Sequence, residues 1–206
     1  MFTQGDESST TGGEFAHALH GRDTVECAIV YVRELRWSVA PGHRFRKRAG
    51  CTCDKFSCDV PGAHPAASSV DRLELGAVRP AFENIPGAGI IAACTAFDAV
   101  SVPHHLGLGL MMALDAGGIH VPRLTMDPFA ATLLTTPKTG GLLAGPASVV
   151  RSGSEAWIAL PPSHGVRWDT PPELNVPLPP AQRLLPYWRE VVGRSQAADT
   201  AKQEQG

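Results

Sequence analysis

No stretch of the chain approaches the run of about 18 apolar residues that a membrane-crossing helix needs. The opening residues, MFTQGDESSTTGGEF, contain neither a basic region nor an apolar run. They do not read as a secretory signal, which sets the expectation of a cytoplasmic protein with no membrane partner. Charge of one sign is lacking too. Lys and Arg number 18 against 20 Asp and Glu, a net charge of -2, so capture of nucleic acid by the chain as a whole is excluded and only a local patch could serve. Five cysteines, an odd number, in a chain without an export signal do not make a disulfide framework. There is no internal repeat, no complete P-loop and no Gly-x-Ser-x-Gly nucleophile turn. What is plentiful is Gly (21) and Pro (18), which favour short elements joined by many turns within the 206 residues. The length suits one domain, or one domain with a small inserted module.

Cations and thiols are unevenly spread. Residues 33 to 55 carry Arg33, Arg36, Arg44, Arg46, Lys47, Arg48 and Lys55 against only Glu34 and Asp54. At the end of this stretch, Cys51-x-Cys53-x4-Cys58-x5-His64 puts three thiols and one imidazole in a short loop. Zinc takes four tetrahedral ligands of this kind, and a short loop wraps them with a small closure penalty. A Cys3His set leaves no open position for water, so the expected metal is a structural zinc. Lys47, Arg48 and Lys55 help keep the thiols ionised. Reduced surface cysteines or a redox pair are the plainer alternatives, and His43 is the less suitable fourth ligand. Cys27 and Cys94 sit in apolar surroundings and read as buried thiols.

Residues 1–22 are rich in Gly, Ser, Thr and acids and read as a disordered tail. Asp23 can cap a helix, with Glu26 closing a capping box, and Val25, Ala28, Ile29, Val32 and Leu35 follow at helical spacing. Trp37 and Val39 suggest a strand ended by Pro41-Gly42, and the basic, Cys-rich stretch to Pro65 reads as a loop. A helix interrupted by Pro80 spans Ala77 to Ile85. Two strands follow, Ile90–Ala93 and Phe97–Val102, then a helix through Leu106, Leu110, Met111 and Leu114 that stops at Gly117-Gly118. Residues 119–160 resemble a β meander, with strands near 124–126, 131–136, 148–151 and 156–160. Pro161 to Gly165 is a turn, and Leu184, Leu185, Trp188 and Val192 mark a last helix with Pro186 as a weak point. The expected domain is 23–193, with the zinc loop 51–64 inserted and a flexible tail over 194–206. The order is α+β.

Several segments together resemble the N-terminal domain of bifunctional DNA primase/polymerases (prim-pol), in the archaeo-eukaryotic primase superfamily, particularly its short stand-alone versions of actinobacterial type. The resemblance runs from about Glu26 to Pro172. CAIVYVRELRWSVAPG is similar to the family's helix and Trp-Pro-Val-type strand. CTCDKFSCDVPGAHP is similar to its Cys-rich insertion, with Ala63 in place of a lysine. NIPGAGIIAACTAFDAVSVP resembles its acidic strand region, and LLTTPKTGG and WIALPPSHGVRW its Thr-Pro-Ser-Gly-Gly and Pro-Pro-Ser segments. The resemblance implies a primase/polymerase-like fold: a mixed or antiparallel sheet, flanking helices and a small zinc-binding insertion.

The same resemblance exposes a departure. The two acidic positions of active members fall on Ser101 and Pro103, and their histidine falls near Leu142 or Leu143. Nucleotidyl transfer uses two magnesium or manganese ions held by carboxylates, and Ser and Pro cannot hold them. Asp98 is a weak catalytic candidate, placed by strand alternation on the face opposite Ser101. Lys138, in Thr136-Pro137-Lys138-Thr139-Gly140-Gly141, could meet a phosphate or simply occupy a hairpin turn. Arg44, Arg46, Lys47 and Arg48 could grip a phosphate backbone or form a solvated loop. His104 and His105 read as helix-start residues, and Ser163-His164 makes a poor hydrolase pair.

Three functions are open at this point. The first is a catalytically degenerate prim-pol-like domain that binds nucleic acid, nucleotide, or a replication or regulatory protein. The second is a working primase/polymerase whose metal pair is rebuilt from Asp98 with Asp115, Asp127 or Glu155. The third is a zinc-stabilised protein-interaction module.

Overall fold

Asp23 starts a helix as its sequence implies. Its carboxylate accepts the Glu26 backbone N–H at 2.9 Å, and α2 (Thr24–Glu34) follows. The reciprocal half of the capping box is not made. Glu26 instead pairs with Arg79 of α3 (Leu75–Glu83), tying the two helices together. The computed structural model describes residues 11–67, 73–126 and 130–203.

The stretch before Asp23 departs from a disordered tail. Thr11–Leu19 form α1, and Phe15 on it is fully buried, its ring centroid 5.8 Å from that of Tyr31 on α2. One large aromatic side chain anchors a segment whose composition is otherwise that of a linker. Residues 1–10 lie outside the described residues.

The sheet is antiparallel throughout and is organised by one strand. β1 (Val39–Pro41) pairs with the first residues of β4 (Ile90–Pro103), which also pairs with β6 (Ala130–Thr135) and β7 (Val149–Leu160). β5 (Arg123–Met126) joins β6 to β8 (Val166–Thr170), completing six strands. The strands expected at 90–93 and 97–102 are therefore one. Between them the register against β7 shifts around Cys94, an irregularity that bends the strand without ending it. Likewise 148–151 and 156–160 belong to the single strand β7, and β8 is an addition to the expected set. Only β5 and β6 follow the meander; β7 returns to β4.

Helices cover β4 on both faces, which is why its sequence is a nearly unbroken apolar run with no alternation. On one face, α1, α2 and α3 supply Phe15, Tyr31, Val78 and Phe82 to a core shared with Phe97 and Ala99. On the other, α4 (His104–Ala116) and α5 (Ala181–Gln203) bring Leu110, Leu114, Leu184 and Trp188 onto Val100 and Val102. Helix α4 ends at Gly117 as its sequence implies. Helix α5 carries Pro186 within it and continues through Gln203, where a flexible tail was expected.

The few aromatics are concentrated on the first face. Tyr31 and Trp37 stack with 5° between their planes, and Trp37 also meets Phe97 at 4.7 Å. Trp168 donates its indole N–H to the Tyr31 hydroxyl, which donates to the Pro161 carbonyl. Both polar tips are thus satisfied within an apolar cluster. Among the described residues, no helix is long and apolar enough to cross a membrane.

If Phe15 is a core residue, Phe15→Ala should lower unfolding stability by about 3–5 kcal/mol. Chemical denaturation of the full chain measures this; a change near zero would mean that α1 does not contribute to the core.

Candidate metal centre and adjoining pocket

The Cys-rich stretch is more ordered than a loop. β2 (Phe45–Arg46) and β3 (Gly50–Cys51) form a small hairpin that delivers Cys51. The segment is tied back to the chain that follows β1. His43 N–H donates to the His64 carbonyl at 2.9 Å, and Thr52 N–H to the Arg44 carbonyl at 2.9 Å. Two glycines allow the loop to sit on the sheet. Gly62 has φ of 72°, and a Cβ on Gly89, one residue before β4, would lie 2.2 Å from the Gly62 carbonyl oxygen. Only backbone without side chains fits there.

Cys51, Cys53, Cys58 and His64 converge. Their ligand atoms all lie within 4.8 Å of one another, and Nε2 of His64 is 3.3 Å from Cys51 Sγ and 3.4 Å from Cys58 Sγ. Tetrahedral zinc with sulfur and nitrogen ligands has edges of roughly 3.5–3.8 Å by its bond lengths. The cluster could hold a zinc ion. The Gly62 N–H points at Cys51 Sγ at 3.4 Å, a donor suited to a thiolate. The Lys55 backbone N–H holds the Cys53 thiol below its ordinary range, while burial pushes Cys58 up to about 11. Burial, and then the neighbouring His43, lower the His64 pKa, favouring the neutral ring that metal binding requires. His43 is not among the ligands. It packs on His64 at 4.5 Å, with Nδ1 3.2 Å from Thr52 Oγ1. Cys27 and Cys94 are buried, their thiols pushed up to about 11 and about 12 by that burial.

Beside the cluster lies a pocket of about 670 Å³. It occupies the part of the sheet face that α1, α2 and α3 leave uncovered. Ser101, Thr132 and Arg151 form its polar floor: the two hydroxyls are 2.9 Å apart, and Arg151 Nη1 donates to Ser101 Oγ at 3.1 Å. Val60, Pro61 and Ala63, between the ligands Cys58 and His64, form one wall. Ser101 and Pro103, the positions aligned with the acidic pair, both line this pocket.

Asp98 does not. Only 1% exposed, it faces away from Ser101, accepting the Gly140 N–H at 2.7 Å and the Ser152 hydroxyl at 2.5 Å. It holds the 3-10 turn Gly140–Leu143 against the sheet and is turned away from solvent. A Cβ on Gly140 would come within 2.8 Å of the Asp98 Cβ, so this contact needs glycine. Lys138 is exposed in the preceding turn with φ of 65°, outside the pocket lining. Asp115 pairs with Arg123 at 3.1 Å and Glu155 is exposed on β7, so neither joins Asp98 in a metal pair. Asp127 lies outside the described residues. Among the described residues, the one group of three or more His, Cys, Asp and Glu placed to hold a metal is the Cys–His cluster. His104 and His105 are exposed at the start of α4. Ser163 is buried and bonded to both backbone groups of Ile90, and His164 stacks on Phe45 at 3.7 Å.

The basic cluster divides. Arg44 is partly buried and donates to the Pro86 carbonyl at 2.8 Å, a bracing role. Arg46, Lys47 and Arg48 are exposed at the hairpin end, and Lys55 is exposed in the metal loop. Phe56, next to Lys55, is fully exposed. Sequence reasoning passed over it, although an aromatic residue in a polar Cys-rich loop has no apolar period to bury it.

The chain matches no protein-family model, no curated protein and no solved structure.

If Asp98 serves as a clamp, Asp98→Ala should cost about 1–3 kcal/mol by leaving the Gly140 N–H buried without an acceptor. Thermal and chemical unfolding measure the loss; unchanged stability would remove this role.

Proposed function

We propose that the chain is a catalytically inactive primase/polymerase-like domain that binds single-stranded nucleic acid through a basic hairpin braced by structural zinc. The observation that carries this reading is Phe56, fully exposed beside Lys55 on a loop that starts at the hairpin bearing Arg46, Lys47 and Arg48. Cations that neutralise phosphates beside an aromatic face that accepts a base are what sequence-tolerant single-strand binding requires. The Cys-rich insertion CTCDKFSCDVPGAHP and the antiparallel sheet flanked by helices support the prim-pol likeness. The pocket supports inactivity, since Ser101, Thr132 and Arg151 form its floor and Asp59 is the one carboxylate among its described lining residues, where a pair of divalent ions needs several.

Zinc held by three thiolates and an imidazole has no open position, so it supplies stability to the loop and takes no part in chemistry. Arg46, Lys47, Arg48 and Lys55 supply the attraction, offset in part by the exposed Asp54 and Asp59. The partner is recognised by charge and stacking without base-edge readout, so little sequence preference follows.

Elemental analysis of the purified chain should give about one zinc per molecule. Cys51→Ser should lose it, and acidification should release it as protons compete for the thiolates. Metal-free wild-type protein with an intact fold would count against the site.

Fluorescence anisotropy with a labelled oligo-dT should show binding whose log affinity falls against log salt with a slope of roughly -2 to -3, if all four cations meet phosphates. Phe56→Ala should weaken it about tenfold or more, and Lys47→Ala should reduce the salt slope. Template-directed nucleotide incorporation with magnesium or manganese should be absent. Incorporation would favour a working polymerase, and no binding at low salt would favour a zinc-stabilised protein-interaction module.

A further inference from the structure

We infer that the 670 Å³ pocket is a separate binding site for a small organic monocarboxylate with an apolar body. The nucleic-acid reading rests on the exposed hairpin; this one rests on the cavity and stands without it.

The volume lies within the range typical of small-molecule sites. Val60, Pro61, Pro103, Met126, Val149 and Val166 give it an apolar lining suited to an aliphatic or aryl body. Asp59, Ser148 and His164 add polar groups to the lining, and the floor itself joins two hydroxyls to one guanidinium, an arrangement that can hold a ligand by one end. Arg151 is the floor's cation. It is partly buried, donates one N–H to Ser101 Oγ and makes no ion pair among the described residues. A guanidinium presents five donors in a planar fork that matches a carboxylate, so several remain for a ligand. The hydroxyls of Ser101 and Thr132 lie beside the same point.

Charge selects the head group. One guanidinium balances one negative charge. A nucleoside triphosphate carries several, and among the described lining residues Arg151 is the one Lys or Arg and Asp59 the one carboxylate, too few to neutralise it or to hold a pair of metal ions. Asp59 in the lining repels additional anionic charge. An uncharged amphiphile would leave the partly buried guanidinium without a counter-charge. A monocarboxylate satisfies all of these conditions together, its head on Arg151 and its body along the apolar walls.

Isothermal titration calorimetry on the full chain with octanoate, octan-1-ol and a nucleoside triphosphate tests the inference. Octanoate should bind with a stoichiometry near one, and octan-1-ol at least about tenfold more weakly, the ratio expected for a charge-assisted pair. Arg151→Ala should remove the preference for the acid over the alcohol, while Arg151→Lys should keep part of it. Val149→Trp, at an exposed position of the lining, should block octanoate without disturbing the core, and matched unfolding curves would establish that each variant is folded. Octanoate that does not bind, binds equally to the Arg151→Ala chain, or is outcompeted by the triphosphate would overturn the proposal.

Discussion

The hydrogen-bond ladder of β4 is the constraint on which the molecule depends. This strand pairs along its length with β1, β6 and β7 and is buried on both faces, so its pleat decides which residues meet which helices. Val100 and Val102 point to α4 and α5, and Asp98 points the same way, where its charge is absorbed by a backbone N–H and a hydroxyl. Ser101 and Pro103 point the other way, onto the face the first three helices leave partly open. A carboxylate three residues from the pocket floor is thereby as remote from it as the sheet is thick.

Metal cluster and pocket are joined by the same geometry. The close approach of Gly62 to Gly89 lays the Cys-rich loop against the start of β4, and the residues between Cys58 and His64 become a wall of the cavity. Backbone bonds to the chain after β1 and the burial of Ala63 hold the ends of the loop, while its Cys53–Cys58 part is largely exposed. Ligation of its four side chains would therefore also set the width of the neighbouring cavity, although zinc does not itself line it.

Local chemistry was the part most legible in sequence. The Asp23 cap, the Gly117 stop and the convergence of Cys51, Cys53, Cys58 and His64 depend on residues close in the chain, and their spacing carries the geometry. What escaped depends on distant partners. Helix α1 is held by Phe15 against Tyr31, a contact that the surrounding Gly and Thr conceal. The apparent breaks within β4 and β7 are register shifts, visible only when the partner strand is known. Strand β8 follows a Pro-rich turn, and its pairing with β5 leaves no mark on local pattern. Arg194 and Gln196 in the later part of α5 are exposed, and polarity alone does not distinguish a solvated helix from a coil. The pocket gathers side chains from β4, β6, β7 and the metal loop, with no contiguous motif to announce it.

The placement of the tryptophans divides the protein optically. Trp37, Trp157 and Trp168 belong to the core of the first three helices, with Trp37 and Trp168 6.3 Å apart and Tyr31 against both. Trp188 stands alone in the opposite core, between α5 and the sheet. Excitation energy can pass between Trp37 and Trp168 at that separation, while Trp188 emits from a separate environment. The intrinsic emission of the unlabelled chain therefore carries two signals, one for each side of the sheet.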